Sequence, residues 1–218
     1  MSALTVDALA NSGFSLYSFK AVQCADRAGM PVIWLQSQDF GMHTTFAWTD
    51  QYQAYTSPDR VHSGTGVAAT NQYPITVGQV LTVDNRSGTG IVTTDGVPDA
   101  MAFRNTTNVQ LACGLMQQHG DVAAPLCRLP LYGGEMQIIT PLSSVLLLFS
   151  TQPGNVGDVI ARSYGPGILI DLTGVALRNV SFDVNDGWSW GSFTWAQSVP
   201  AGTYLAPLLI LPDATCGG

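Results

Sequence analysis

Charged side chains are scarce in this chain of 218 residues, of which Asp, Glu, Lys and Arg together make up 11%. There is one lysine, Lys20, and one glutamate, Glu135, beside fourteen aspartates. Glu and Lys favour helices, whereas Asp favours turns and helix caps. Their near absence, together with 23 glycines, argues against a helical protein.

Basic residues are too few and too scattered to form a basic patch, and the net charge is −7. Nucleic acids and anionic membranes both require such a patch, so we expect neither as a partner. No apolar run reaches the length of a membrane span, and the first residues lack the layout of a secretory signal. We therefore expect either a cytoplasmic protein or a mature secreted domain. Sequons at Asn85, Asn105 and Asn179 permit the second alternative.

Common metal and catalytic motifs are also missing. His43, His62 and His119 do not have metal-binding spacing, and there is no C-x-x-C, so we predict no metal and no cofactor. The G-W-S-W-G at 187–191 matches the nucleophile elbow of serine hydrolases in letters alone. It lies in a strand-like segment and no histidine follows it, which argues against that chemistry.

The four cysteines are Cys24, Cys113, Cys127 and Cys216. An even number is compatible with two disulfides but does not require them. Cys113 and Cys127 flank a segment that a disulfide could close into a loop. Four free thiols are the alternative, since the redox compartment is unknown.

Short apolar segments, separated by turn signals every 8–12 residues or so, predict an all-β fold. Residues 114–134 are rich in Gly and Pro, and we expect an irregular loop there, of a length that is often functional. The prediction is one antiparallel β-sandwich of jelly-roll type over residues 1–218, as a monomer or homodimer. The predicted strands are a first strand that ends near Cys24, then 31–35, 42–55, 77–84, 90–94, 100–103, 109–113, 144–150, 159–161, 168–172 and 204–211.

Residues 180–195 carry three of the five tryptophans and are predicted to form a hairpin. A three-residue loop at 185–187, with Gly187 in the left-handed conformation, would pair Val184 with Trp188 and Phe182 with Trp190. All large apolar groups would then share one face. That face is either part of the core or the wall of a binding pocket.

The segments W-L-Q-S-Q-D-F at 34–40 and T-T-F-A-W-T-D-Q-Y at 44–52 resemble the RhiA-like proteins, a rhizosphere-expressed bacterial group with fungal relatives. A looser match, G-x-x-A-A-T-N-Q-Y-P, follows at 64–74. The resemblance covers less than a quarter of the chain. It implies a β-rich fold, and no catalytic residue can be carried over from it.

Tryptophans and tyrosines beside polar residues, in a chain that is poor in Glu, Lys, Cys and His motifs, favour a protein that binds a small, largely apolar molecule in an aromatic-lined pocket. It is either a binding protein or a cofactor-independent cyclase or isomerase, since such reactions depend mainly on orientation and a few hydrogen bonds. A lectin-like carbohydrate-binding module and a purely structural or interaction protein are the alternatives. The candidate catalytic residues are His43, Asp50, Tyr52, Arg104 and His119, and the candidate ligand-binding residues are Trp34, Trp48, Gln117, Trp188 and Trp190.

Overall fold

The structure is a computed structural model that describes residues 1–26, 28–58 and 66–212. Within these ranges it contains seventeen strands and two short helices, which confirms the predicted all-β class. Neither helix of the described residues has the length and apolar character that crossing a bilayer requires.

The elements follow one another in chain order. They are α1 (Ala3–Asn11), β1 (Ser15–Cys24), β2 (Met30–Pro31), β3 (Leu35–Ser37), β4 (Tyr52–Ser57), β5 (Asn71–Ile75), β6 (Val80–Val83), β7 (Gly90–Thr93), β8 (Met101–Asn105), β9 (Leu111–His119), β10 (Val122–Pro125), β11 (Cys127–Leu131), β12 (Met136–Ser150), β13 (Gly167–Asp171), β14 (Ser181–Asp183), β15 (Gly187–Ser189), β16 (Ala196–Val199), α2 (Ala206–Leu209) and β17 (Ile210–Pro212).

The larger sheet has nine strands, in the order β16-β13-β12-β8-β6-β7, with β1 beside β12 and both β3 and β17 beside β1. β1 pairs with β12 along its whole length, and the register between them shifts just after Lys20. The predicted hairpin at 77–94 is present as β6 and β7. The second sheet has six strands, in the order β2-β11-β9-β4-β5, with β10 beside β9.

Strand β1 buries both of its faces, because successive side chains point to opposite sides of a strand. Tyr17 and Phe19 pack with α2 in one hydrophobic cluster. Leu16 and Val22 belong to the larger cluster, which also contains side chains of β4, β9 and β11 from the six-stranded sheet. Lys20 has the parity of Leu16 and Val22, so it points toward the larger core, and it is 3% exposed.

The segment 114–134 is not an irregular loop, as its composition predicted. It continues β9 and contains β10 and β11. Gly114 lies inside β9, where a Cβ would come within 2.3 Å of the Cys127 carbonyl oxygen. This glycine permits a close approach of neighbouring chains and does not mark a turn.

Four other predicted strands differ from the structure. The strand predicted at 31–35 is divided between β2 and β3, and the one predicted at 159–161 is replaced by an isolated bridge at Val159. Of the strand predicted at 42–55, the structure has only the part that begins β4 at Tyr52, and residues 41–51 have no regular secondary structure. The strand predicted at 204–211 is divided between α2 and β17. Pro207 lies in the first turn of α2, where a proline is tolerated because its missing N–H has no helical partner.

The tryptophan hairpin is present as β14 and β15, but its predicted register is wrong. Phe182 lies opposite Trp188, and the loop comprises 184–186. In this register both rings pack on Phe149, at centroid distances of 4.7 and 5.6 Å. Val184 is left at the tip with 47% exposure. Gly187 has φ +77°, the left-handed conformation that was expected.

Cys24, Cys113 and Cys127 are buried free thiols, so the bridge considered between Cys113 and Cys127 is absent. In the sheet Cys113 lies opposite Leu129, whereas Cys127 lies opposite Pro31. Burial raises the pKa of Cys24 to about 11 and that of Cys127 to about 12. Cys216 lies outside the described residues.

Candidate functional site

The one lysine of the chain is enclosed by aromatic rings and an amide. The Nζ of Lys20 lies 5.3 Å from the ring centroid of Trp34 and 4.6 Å from that of Trp48. It donates a 2.8 Å hydrogen bond to Oε1 of Gln117. A cation over an indole face is stabilised by the ring quadrupole, so the two rings compensate part of the hydration that Lys20 loses. We call Lys20 and the residues described next, Trp34, Trp48, Asp50, Tyr52, Gln117 and His119, the Lys20 cluster.

Four segments distant in sequence bring the cluster together. Lys20 comes from β1 and Gln117 from β9, whereas Trp48 lies in the irregular segment 41–51. Trp34 stands between β2 and β3, where its backbone N–H donates to Ser18 of β1 at 2.9 Å. The two indoles meet edge to face, with centroids 5.3 Å apart and an interplanar angle of 78°.

Gln117 connects the lysine to a carboxylate. Its Nε2 lies 3.1 Å from the Asp50 carboxylate and the Thr49 carbonyl oxygen, and 3.2 Å from the Tyr52 hydroxyl. The hydroxyl in turn donates to Asp50 at 3.1 Å. Tyr52 and Gln117 lie opposite each other on β4 and β9, so the pairing of these strands fixes the amide. The acceptors around Nε2 leave Oε1 facing Lys20.

Burial controls the protonation of the cluster. It lowers the pKa of Lys20 to about 8, against an opposing effect of the Asp50 carboxylate. About a tenth of the Lys20 amines are then neutral at pH 7, against a few in ten thousand for an exposed lysine. Burial, together with the charge and hydrogen bond of Asp50, raises the pKa of the Tyr52 hydroxyl well above its usual range.

His119 stands at the outer side of the cluster. Its ring lies 6.4 Å from that of Trp34, and its Nδ1 is 2.6 Å from the carbonyl oxygen of Ala47. Because a carbonyl oxygen can only accept, Nδ1 carries a proton, and Nε2 is the free acceptor of the neutral ring. The same bond attaches segment 41–51 to the end of β9.

Two clefts lie on either side of β3. The first, which we call the His119 cleft, has a volume of about 350 Å³ and is lined by Leu35, Gln36, Ser37, Asp39, Thr44, Thr45, Phe46, His119, Val122, Ala124 and Val156. The second, the Gln38 cleft, has a volume of about 480 Å³ and is lined by Gly13, Ser15, Tyr17, Gln36, Gln38, Thr151, Gln152, Pro153, Gly154, Asn155 and Asp158. Gln36 is part of both walls.

The structure brings six of the predicted site residues together in the Lys20 cluster. These six are Trp34, Trp48, Asp50, Tyr52, Gln117 and His119. None of the predicted tryptophans lines either of the two clefts, so an aromatic pocket wall is provided there by Phe46 and, in the second cleft, by Tyr17.

The other predicted residues lie elsewhere. His43 is exposed in segment 41–51. Arg104 of β8 faces Asp95, with 3.9 Å between their charged atoms. Trp188 stacks on Phe149 and donates to the Pro166 carbonyl oxygen, and Trp190 donates to the carbonyl oxygen of Phe193. Trp188 therefore attaches the hairpin to the fold, whereas the hydrogen bond of Trp190 is local.

Lys20 was missed as a site residue, although the sequence contains a signal for it. It is the one lysine of the chain, and on its face of the strand it stands between Ser18 and the apolar Val22, with Leu16 beyond Ser18. A lysine on an apolar face is either buried or at an edge, and fully buried lysines are rare in proteins.

No metal site accompanies the cluster in residues 1–26, 28–58 and 66–212, which contain no group of three or more His, Cys, Asp or Glu that could hold an ion. His62 lies outside these ranges. Comparisons with protein-family models, with curated proteins and with solved structures find no match to this chain. The likeness to the RhiA-like proteins therefore stays a prediction from the motifs at 34–52 and 64–74.

Proposed function

We propose that this protein binds a small, largely apolar organic molecule in the His119 cleft, without a cofactor. The observation that carries the proposal is a cleft of about 350 Å³ with a free imidazole nitrogen at its wall. Small-molecule sites have volumes of roughly 300–1,000 Å³ and combine apolar walls with a few polar groups. The volume of the cleft is suited to a molecule of one or two rings.

The lining supports a ligand that is apolar over most of its surface and carries one or two oxygen atoms. Phe46, Val122 and Val156 provide apolar contact. The hydroxyls of Thr44 and Thr45 and the imidazole of His119 provide hydrogen bonds. Such a small number of polar groups orients a ligand without demanding a charged one.

We further propose that the protein acts on this ligand as a cyclase or isomerase. His119 is the acid–base group, because Nε2 can accept a proton from a bound ligand and return it to another atom of the same molecule. The Ala47 carbonyl oxygen holds the ring in the required tautomer.

As the fold that carries this site we propose a jelly-roll-like sandwich. The proposal is supported by the hydrophobic cluster that contains side chains of both large sheets.

The binding proposal is tested by ligand-observed NMR with a set of small aromatic alcohols and ketones. We expect saturation transfer to at least one of them, with the signal lost in Phe46→Ala and reduced in His119→Gln. Phe193→Ala is the matched control, since Phe193 is 60% exposed and lies outside the cleft. An unchanged signal in Phe46→Ala would contradict binding in this cleft.

Carbohydrate binding in the Gln38 cleft is the second candidate. Amide groups of Gln38, Gln152 and Asn155 stand beside Tyr17 and the Asp158 carboxylate. Amides and carboxylates form hydrogen bonds with sugar hydroxyls. The test is a glycan array with the wild type and Gln38→Ala; glycan binding that Gln38→Ala abolishes supports this candidate, and no bound glycan rejects it.

A further inference from the structure

We propose that Lys20 is a nucleophilic amine that forms an imine with a small aldehyde or ketone. The proposal rests on the enclosure of Lys20 between two indoles and an amide. It goes beyond the reversible binding proposed for the His119 cleft and does not depend on it. No sequence motif for a catalytic residue includes Lys20, so the proposal comes from its surroundings in the fold.

Burial without a direct counter-ion favours the neutral amine of Lys20, and this effect outweighs the stabilisation of the cation by the two indole faces and the Gln117 oxygen. Among the described residues the one ion pair joins Arg104 and Asp95, so no carboxylate contacts the lysine nitrogen directly. Its partners are the Gln117 oxygen and the faces of Trp34 and Trp48. A lysine that is desolvated without a direct counter-ion is the type used as a nucleophile in imine-forming enzymes.

The protonation state agrees with this geometry. Burial lowers the pKa of Lys20 to about 8, so a useful fraction of the amine has a free lone pair near neutral pH. Among the described residues Nζ forms one hydrogen bond, to Gln117, and the rest of the amine faces the two indole rings. The attack on a carbonyl therefore does not require that an ion pair be broken first.

The reaction needs no co-reactant. The Lys20 lone pair adds to the carbonyl carbon, and the carbonyl oxygen takes up a proton to give a carbinolamine. Loss of the hydroxyl as water, with the second proton of the nitrogen, leaves a C=N bond to Lys20. Amine and carbonyl are thus converted to imine and water with no change in oxidation state, and hydrolysis reverses the step.

An unpartnered donor beside the lysine supports a ligand that carries an oxygen. The Nε1 of Trp34 is buried and has no acceptor among the residues that the structure describes. A buried N–H without a partner is costly, about 1–3 kcal/mol in proteins generally. A ligand oxygen that reaches this N–H would supply the acceptor that it lacks among the described residues.

The way to the amine passes Trp48. This indole is only partly buried and belongs to segment 41–51, which has no regular secondary structure. The backbone of the segment is bonded to β9 on both sides of Trp48, at Ala47 and at Thr49. A rotation of the Trp48 side chain, with the backbone in place, would admit a carbonyl compound of a few carbon atoms, whereas a bulky one would be excluded.

The single lysine allows a direct test. The folded protein is incubated with propanal and cyanoborohydride, which reduces the imine to a stable propylamine, and peptide mapping separates Lys20 from the α-amine of Met1. We expect the labelling rate of Lys20 to rise about tenfold per pH unit up to pH 8 and to level off above it. Labelling of Lys20 in urea but not in the folded protein would overturn the proposal.

The variant Arg86→Lys provides an internal standard, because Arg86 is exposed. At pH 7 we expect Lys20 to be labelled several-fold faster than the amine introduced at position 86. Faster labelling at position 86 would identify Lys20 as an unreactive buried cation. Fragment binding in the His119 cleft is measured in parallel on the Lys20→Arg variant. Because this binding does not depend on the amine, it is expected to persist whichever amine is labelled first.

Discussion

The Nζ of Lys20 and the Oε1 of Gln117 are joined by a 2.8 Å hydrogen bond, although the two residues are 97 positions apart and lie on different sheets. Through the same amide the lysine is connected to Asp50, with no direct contact between the two charges. A neutral group therefore stands where a counter-ion would be expected for a buried lysine. The lowered pKa of Lys20 and the reactivity proposed for it depend on having an amide, and not a carboxylate, as the hydrogen-bond partner of Nζ.

Replacing the amide by a carboxylate should make Lys20 an ordinary cation. In Gln117→Glu an opposite charge would contact Nζ, and such a contact typically changes a pKa by one unit or more. We expect the labelling of Lys20 by propanal at pH 7 to slow by about tenfold or more. Gln118→Glu is the matched control, since the Gln118 side chain contacts the Gly120 carbonyl oxygen on the outer side of β9. Equal rates in the two variants would contradict the role given to Gln117.

The stability of the protein should depend on pH through Lys20. Its pKa in the folded protein is about 8 and that in the unfolded chain is near 10.5, so the unfolded chain holds this proton over a window in which the folded protein does not. The free energy of unfolding therefore rises with pH between about 8 and 10.5, by at most about 3 kcal/mol, and Lys20 contributes no slope below this window.

Urea unfolding at several pH values, with wild type and Lys20→Met, isolates this contribution. Tyr52 and Tyr55, whose pKa values burial raises, act in the opposite direction above pH 10. Their effect is largely shared by both proteins and cancels in the difference. We expect the stability of the wild type relative to Lys20→Met to increase from pH 8 to pH 10. A flat difference would mean that the folded and unfolded chains bind this proton equally.

Asn105 should be a structural residue and a poor glycosylation site. Its Nδ2 donates to the carbonyl oxygens of Val109 and Leu131, at 2.8 and 3.1 Å, and the residue is 1% exposed. Asn105→Ala leaves both acceptors without this donor, so we expect a loss of about 2–4 kcal/mol in the free energy of unfolding. The exposed Asn108→Ala should change stability by less than about 0.5 kcal/mol. Chemical denaturation of both variants tests the contrast.

Gly114→Ala should prevent normal folding. A Cβ there would meet the Cys127 carbonyl oxygen at 2.3 Å and the ring of Tyr55 at 2.6 Å, and backbone cannot move aside as a flexible side chain can. In Gly120→Ala, at the hairpin between β9 and β10, nothing lies within 4 Å and the cost is that of a positive φ, about 1 kcal/mol. We expect loss of soluble protein for the first variant and a small decrease in Tm for the second.

The hairpin of β6 and β7 and the buried strand within β12 were predictable, because alternation, apolar runs and turn residues act over short distances in the chain. The strands within segment 114–134 were not predictable, because Gly and Pro occur both in turns and in closely packed strands and the sequence alone does not distinguish the two cases. Gly114 is explained by a neighbour on another strand, Cys127, which no local pattern reveals.

Much of the candidate site was found from the sequence for a related reason. Asp50 and Tyr52 were predicted as polar residues beside an aromatic segment, and the structure brings them near Trp48. Gln117 was predicted as part of an irregular loop, but it joins them from strand β9. His43 and Arg104 satisfy the same pattern but lie elsewhere. The cluster forms because segment 41–51 runs beside β9. This segment has no regular secondary structure, so its sequence carries no periodic pattern that would predict its position.

Strand β1, which lies between β12 on one side and the short strands β3 and β17 on the other, is completed from far along the chain. Its residues Val22 to Cys24 pair in parallel with β17, which begins at Ile210. Pairings between distant segments form late, because the entropy of closing the intervening loop must be overcome first. A ribosome that has not yet released Ile210 therefore holds a chain in which this edge of β1 is unpaired and open to other strands. The strand that protects this edge of β1 is therefore synthesised only after every other described strand of its sheet.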